Sequence, residues 1–323
     1  MPETQTRAAE VLVIGESIMD VVIDADGAET DAPGGSPANV ALGLARLGVV
    51  PRLATALARD DFGEAIAERL TASGVVIDPA SWCLERTAVA RASIAADGSA
   101  HYDFDIAWEL PGAPELAGES VVHTGSIAAF LEPGAAHVRA AVSAARGSAL
   151  VTFDPNIRPA LLGEPDAVRA EVEALAAGCD VVKLSDEDAE WLYPGRHVDV
   201  VVAELLGRGA GLVAVTLGGD GAVVANSEAS AVVPAVAVDV RDTVGAGDTF
   251  MAALIAGVLA ADAAPAALDH DALARLGRRA ATAASITVSR VGADLPTARE
   301  LDHALDAATV RECLDAAACT SPW

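Results

Sequence analysis

Short apolar runs alternate with amphipathic segments of helical spacing over most of the chain. EVLVIGES reads as a strand ending at Gly15, with GESIMD closing on Asp20, and ANVALGLARLG (38–48) reads as a helix that stops at Gly48. Farther on, SVVHTGSI precedes EPGAAHVRAAVSAARG, ALVTFDPN precedes EPDAVRAEVEALAAG, DVVKLS precedes DEDAEWLY, and VDVVVAELLGRG leads into GLVAVTLGG. Strands that are apolar throughout need cover on both faces, which helices between parallel strands supply. The pattern predicts a three-layer α/β/α chain around a mostly parallel central sheet.

One stretch breaks the rule. In RTAVARASIAADGSAHYDFDIAW (86–108), Tyr102, Phe104 and Ile106 alternate with His101, Asp103 and Asp105, and ADGS is a turn signal centred on Asp97-Gly98. This predicts an inserted antiparallel hairpin with one wet and one apolar face, either an edge decoration or a flap over a site. No linker, repeat or low-complexity tract divides the chain, so residues 1–323 read as one domain.

Composition removes several partners. With 47 acidic against 21 basic residues the net charge is −26, a surface that repels nucleic acid and anionic membranes. No charge-free apolar run reaches the roughly 18 residues needed to span a bilayer, and the polar start MPETQTRAAE has no signal-peptide core. Cys83, Cys179, Cys313 and Cys319 show no C-x-x-C spacing, and the histidines form no H-E-x-x-H, against structural zinc and a disulfide framework. These features predict a cytoplasmic protein.

Three glycine-rich segments carry the candidate chemistry. RDTVGAGDTF (241–250) sets Asp248 beside Gly245, Ala246 and Gly247 ahead of a run, Thr249–Ala261, without a charge. The acid is either a plain helix cap or part of an anion nest at a helix N-terminus. APGGSPANVA (32–41) places Gly34-Gly35 before a helix with Asn39 in its first turns, and VTLGGDGAVV (215–224) puts Thr216, Gly218, Gly219 and Gly221 at a strand-to-strand turn. The sole lysine, Lys183, has no glycine loop before it, which excludes a P-loop. Gly245-Ala-Gly247 lies late in the chain with Phe250 at the third glycine's place, which argues against a dinucleotide fingerprint.

Together, the early GG-x-x-AN-x-A and the late D-T-x-GAGD-x-F resemble the two signatures of the ribokinase-like (PfkB) sugar kinases, from about Val11 to Leu301. FDPNIRPAL (153–161) and VHTGSIAAFLEP (122–133) look most like the fructokinase branch. The resemblance implies a ribokinase-like fold with a small β-sheet lid from segments near 21–33 and 86–108, and a homodimer formed through the lids. It implies transfer of the γ-phosphoryl group of ATP to a free sugar, fructose to fructose 6-phosphate. Rivals are a kinase for ribose, a 2-keto-3-deoxy sugar acid or a nucleoside, and a catalytically silent sugar or nucleotide sensor. Asp248 is then similar to the base that deprotonates the attacking hydroxyl, with Gly245, Ala246 and Gly247 around the transferred group. Asp20, Gly34, Gly35, Asn39 and Arg158 would hold the substrate, with Arg158 near the phosphates of ATP. Thr216, Gly218, Gly219, Gly221 and Asn156 would border the nucleotide. The family's N-x-x-E element appears as Ser185-x-x-Asp188, so Mg2+ is expected on ATP and water and no metal ligand is assigned. Asp242 with SRVGAD (289–294) is a possible K+ site, although Val244 stands where a hydroxyl is frequent.

Overall fold

Strand β1 (Val11–Ile14) shows how the pattern becomes layers. Val11 and Val13 pack into one apolar core, and Leu12 and Ile14 into a second across the sheet, the two-residue period of extended chain. The structure is a computed structural model in which residues 10–94, 100–261 and 263–319 are described. The remaining strands are β2 (Ile18–Ile23), β3 (Glu29–Gly34), β4 (Pro51–Ala54), β5 (Val76–Ile77), β6 (Val89–Ile94), β7 (Ala100–Asp105), β8 (Val121–Gly125), β9 (Leu150–Asp154), β10 (Val181–Ser185), β11 (Leu212–Thr216), β12 (Ala222–Ala225) and β13 (Ser230–Val233). The helices are α1 (Ser36–Arg46), α2 (Asp61–Ala72), α3 (Gly134–Ala145), α4 (Pro165–Ala176), α5 (Asp186–Leu192), α6 (Val198–Gly207), α7 (Ala246–Leu259), α8 (His270–Val288) and α9 (Ala298–Cys319).

The larger sheet has the order β13-β12-β11-β10-β9-β8-β1-β4-β5. It is parallel from β11 to β5, with β12 and β13 antiparallel at one edge. Helices α1, α2, α7 and α8 cover one face and α3 to α6 the other. Because Ile14 pairs with Thr124, Gly125 with Asp154 and Ser185 with Thr216, the carboxyl ends of β1, β8, β9, β10 and β11 share one edge. Ligands of open α/β sheets gather at such an edge.

The buried, uncharged body of α7 packs against α1 and α8. A Cβ at Gly43 would lie 2.7 Å from the Ala252 Cβ, so the small residue lets α1 and α7 approach closely.

The second sheet, β3-β2-β6-β7, is built from the two segments that interrupt the α/β alternation. β2 and β6 are parallel and the outer pairs antiparallel. Met19, Val21 and Val89 turn into the first core. Asp20 pairs with Ala32 and Ala90, and Ala90 with Phe104, so Asp20, Val22, Ala92, Tyr102 and Phe104 share the other face.

Two expectations need adjustment. Asp20 does not end the first strand: the chain leaves the large sheet after Ile14, and Asp20 is the third residue of β2. The first strand of the small sheet starts at Ile18, and the alternating burial of Met19 and Val21 already belongs to that sheet. The hairpin pairs as expected, but its apolar face is covered only in part: Phe104 and Ile106 are half-buried, whereas Tyr102 is 59% exposed and stacks on Phe104 with centroids 6.2 Å apart. Its turn at Asp97-Gly98 lies outside the described residues.

Candidate active site

Helix α7 starts behind Gly245, which is left-handed (φ 78°) and whose Cβ would meet that of Ala293 at 2.9 Å. Only glycine takes that corner without strain. Asp248 follows in the first turn and is 7% exposed. Its Oδ1 accepts from Ser36 Oγ at 2.6 Å and its Oδ2 from Asn39 Nδ2 at 2.8 Å. Neither oxygen accepts a backbone N–H of α7, so the carboxylate is not a helix cap. Helix α1 can present Ser36 and Asn39 because Gly35 (φ 100°) turns the chain against the Glu16 backbone, where a Cβ would lie 2.5 Å from the carbonyl oxygen. Burial raises the Asp248 pKa, while the Ser36 and Asn39 hydrogen bonds and the Lys183 and Arg158 charges oppose it.

Around this carboxylate, Ala246 N–H donates to Thr243 O at 3.2 Å and Thr249 N–H to Gly245 O at 2.8 Å. The N–H groups of Gly247 and Asp248 have no acceptor among the described residues. Two open donors at a helix N-terminus suit an anion.

Asp20 approaches the same place from the small sheet. A Cβ at Gly34 would fall 2.1 Å from Asp20 Oδ2, so Gly34 leaves room for the carboxylate. Burial pushes the Asp20 pKa to about 6, Arg158 pulls it down and Asp248 pushes it up. Arg158 also acts on Glu16, a buried carboxyl raised to about 7 by burial and bonded by the Ala128 N–H at 3.1 Å. Arg158 itself donates to the Asn156 side-chain oxygen at 2.8 Å, and Asn156 is left-handed (φ 38°). Asp20, Gly34, Gly35, Asn39, Asn156, Arg158 and Asp248 therefore converge. Asn39 differs from expectation in one respect: its amide nitrogen is engaged by Asp248 and holds that carboxylate.

Thr216, Gly218, Gly219 and Gly221 stand apart, at the end of β11, two strands along the same edge from β9. Gly218 (φ 52°) and Gly221 (φ 99°) are left-handed, and a Cβ at Gly221 would lie 2.0 Å from Val233 O. No hydrogen bond or ion pair among the described residues joins this turn to Asp248.

Sequence reasoning passed over Ser36, Glu16 and Lys183. Lys183 sits on β10 with Val182 and Leu184 turned into the second core, so period two aims it at the α7 face. It is 3% exposed and bonds Asp154 Oδ2 at 2.9 Å. The available signal was a lone lysine inside an apolar strand.

The carboxylates at these strand ends are engaged. Asp188 accepts from Ile157 N at 2.7 Å and Ser185 N at 2.9 Å, and its own N–H donates to Ser185 Oγ in a capping box. Asp242 accepts from Val244 N at 3.0 Å and Gly292 N at 2.7 Å, bonds that lower its pKa. Among the described residues no group of three or more His, Cys, Asp or Glu could hold a metal ion, and no helix is long and apolar enough to cross a membrane.

In fold, the chain superposes on a fructokinase with bound ATP from Xylella fastidiosa with a TM-score of 0.81 at 24% identity, covering 94% of this chain and 100% of that one. It matches a fructokinase from Vibrio cholerae O395 in a fructose-, ADP- and calcium-bound form with a TM-score of 0.78 at 26% identity, over 91% and 98% of the two chains. The profile of the pfkB family carbohydrate kinases matches residues 8–300. The chain belongs to that family. Among curated relatives, a fructokinase of Rhizobium leguminosarum bv. trifolii is 32% identical over 259 residues, 77% of this chain and 79% of the relative.

Proposed function

We propose that the protein transfers the γ-phosphoryl group of ATP to a hydroxyl of free fructose, giving fructose 6-phosphate and ADP. The observation that carries this reading is the Asp248 carboxylate, buried, held from α1 and set beside the open N–H groups of α7. The likeness to fructokinases, one of them solved with fructose and ADP, supports the choice of sugar.

Asp20, with Gly34 giving it room, accepts from the sugar hydroxyls and positions the acceptor. As the hydroxyl oxygen bonds to the γ-phosphorus, its proton passes to Asp248 and the bond from phosphorus to the bridging oxygen breaks, leaving ADP. Phosphoryl transfer asks the protein mainly for alignment and positive potential around the equatorial oxygens. The Gly247 and Asp248 N–H groups, the α7 dipole and Arg158 supply it. Thr216, Gly218, Gly219, Gly221 and Asn156 border the nucleotide.

Magnesium would be held by the ATP phosphates and water and would offset phosphate charge, with Asp188 and Asp154 already engaged by Ile157, Ser185 and Lys183. A potassium ion beside Asp242 belongs to the same reading: that carboxylate stays ionised and ties the 289–294 loop to the turn before α7. The lid face on which exposed Tyr102 stacks against half-buried Phe104 suits a homodimer in which two lids meet. The acidic composition and the unpaired Cys83 and Cys179 suit the cytoplasm.

The test is ADP release with Mg-ATP across fructose, ribose, adenosine and a 2-keto-3-deoxy sugar acid. Release with fructose well above the others is expected. Release only with a rival acceptor reassigns the substrate, and none with any acceptor overturns the kinase reading in favour of a sensor.

A further inference from the structure

On the face of the large sheet that carries the first core, the strands β8 to β10 bear a run of buried polar residues that ends at the N-terminus of α7. His123 on β8, Thr152 and Asp154 on β9, and Lys183 on β10 all sit on that face, and all are buried. His123 Nδ1 lies 3.0 Å from Thr152 Oγ1, and Lys183 Nζ lies 2.9 Å from Asp154 Oδ2. A sheet face buried beneath a helix ordinarily carries apolar residues, and a buried ion pair is a poor device for stability alone. A second measurement shows where the ammonium points. A Cβ added at Gly247 would lie 2.9 Å from Lys183 Nζ, so the only lysine of the chain fills the space that a side chain would take in the first turn of α7.

We propose that Lys183 is a positioning residue of the phosphoryl-transfer site: a buried cation beneath Gly247 that keeps the neighbouring Asp248 carboxylate ionised, held in place by Asp154. The proposal rests on the assignment of Asp248 as the base. It gives Gly247 a purpose beyond a bare N–H, since any side chain there would displace the ammonium. It also explains how a carboxylate enclosed by α1 and α7 remains a base in a strongly acidic protein, where a base must be deprotonated to act.

The charges facing the pair come from every neighbouring element. Around Lys183 stand Asp154 on β9, Asp188 on α5, Asp248 on α7 and, on β8, His123, which burial holds down at about 3 and so neutral. The three carboxylates raise the Lys183 pKa against burial, so it is charged. Around Asp248 stand Ser36 and Asn39 on α1, Lys183, Arg158 after β9, Asp20 on β2 and Asp154. Lys183 and Arg158 favour its ionised form, and Asp20 and Asp154 oppose it.

Removing the two members of the pair therefore has opposite effects. Lys183→Met takes away a neighbouring positive charge, and the Asp248 titration moves to higher pH. Asp154→Asn takes away a negative one and moves it to lower pH. The double variant leaves no unpaired buried charge and falls between them, so it still reports if Lys183→Met alone does not fold. Two measurements read this. The first is kcat against pH with fructose and Mg-ATP, where Lys183→Met loses at least about tenfold more activity at pH 6 than at pH 9, relative to the unsubstituted enzyme. The second is the titration of ¹³C-labelled aspartate carboxyls without substrate, with the Asp248 signal identified by its loss in Asp248→Asn. Shifts of opposite sign in the two single variants support the proposal. An unmoved Asp248 titration in all variants, even with lower activity, makes Lys183 purely structural and overturns it. Failure of the kinase assignment is seen separately, as no ADP release by the unsubstituted protein, and leaves the carboxyl titration decisive.

Discussion

Asp248 and Asp20 are carboxylates of one site built on two kinds of scaffold. Asp248 stands in the first turn of a helix packed on both sides, with both oxygens held by α1. Asp20 stands on a four-stranded sheet with one face in the core, and among the described residues its side chain makes no hydrogen bond. A group that must meet a reacting hydroxyl in one geometry benefits from a rigid, close-packed mount. A group that must admit a sugar and then enclose it is better carried on an element that can shift. On the proposed reading the core carries the chemistry and the small sheet the recognition.

The sharpest way to break that division is Asp248→Asn. Losing the base should lower kcat about 10²–10⁴-fold, while the isosteric amide keeps fructose and ATP binding and the melting temperature near those of the parent. Near-normal turnover with a lower melting temperature would make Asp248 structural.

Next in size is Asp20→Ala, which should raise KM for fructose about ten- to a hundredfold through lost hydrogen bonds to a charged group, about 1.5–3 kcal/mol, with KM for ATP nearly unchanged. Equal loss of both ligands would mean that Asp20 supports the fold and not the sugar. The same residue sets a pH signature. Its carboxyl titrates at about 6, so it is ionised above that pH and protonated below it. KM for fructose should rise as pH falls through 6, and Asp20→Asn should abolish that rise.

Asn39→Ala separates the two regions more finely. It removes a donor from Asp248, not from the lid, so kcat should fall roughly tenfold while KM for fructose moves less. Because the lost bond favours the ionised form, the acid limb of kcat should move to higher pH. A change in KM alone would return Asn39 to the sugar clamp. The smallest effect expected is for Gly218→Ala. A left-handed alanine costs about 1–2 kcal/mol, and that strain should raise KM for ATP less than about tenfold and leave fructose alone.

The layered fold was legible because buried parallel strands and their cover helices follow fixed periods. DVVKLS and TLGGDGAVV became β10 and the β11–β12 turn as their patterns implied. Asp248 and its glycines were legible because a carboxylate and bare backbone ahead of a charge-free helix form a local pattern. Three things were not. Asp20 reads as the end of a core strand because the exit from β1 into β2 takes only Gly15 to Ser17, too short a link to signal a change of sheet. Ser36 was passed over because its partner lies 212 positions away, and only the close approach of α1 and α7 joins them. Lys183 was weighed as a P-loop lysine and set aside, and its contact with the site depends on which face of β10 it occupies, a matter settled by packing.

The division between core and lid is tested most directly by amide hydrogen exchange of Asp248→Asn with fructose alone, with ATP alone and with both. This variant should hold both ligands without turnover. Fructose is predicted to slow exchange across residues 18–34 and 89–105, and ATP alone to protect 216–221 and the start of α7 while leaving the lid strands as they were. Fructose protection confined to α1 and α7, with no change in 18–34 or 89–105, would contradict the account and reduce the second sheet to an edge decoration.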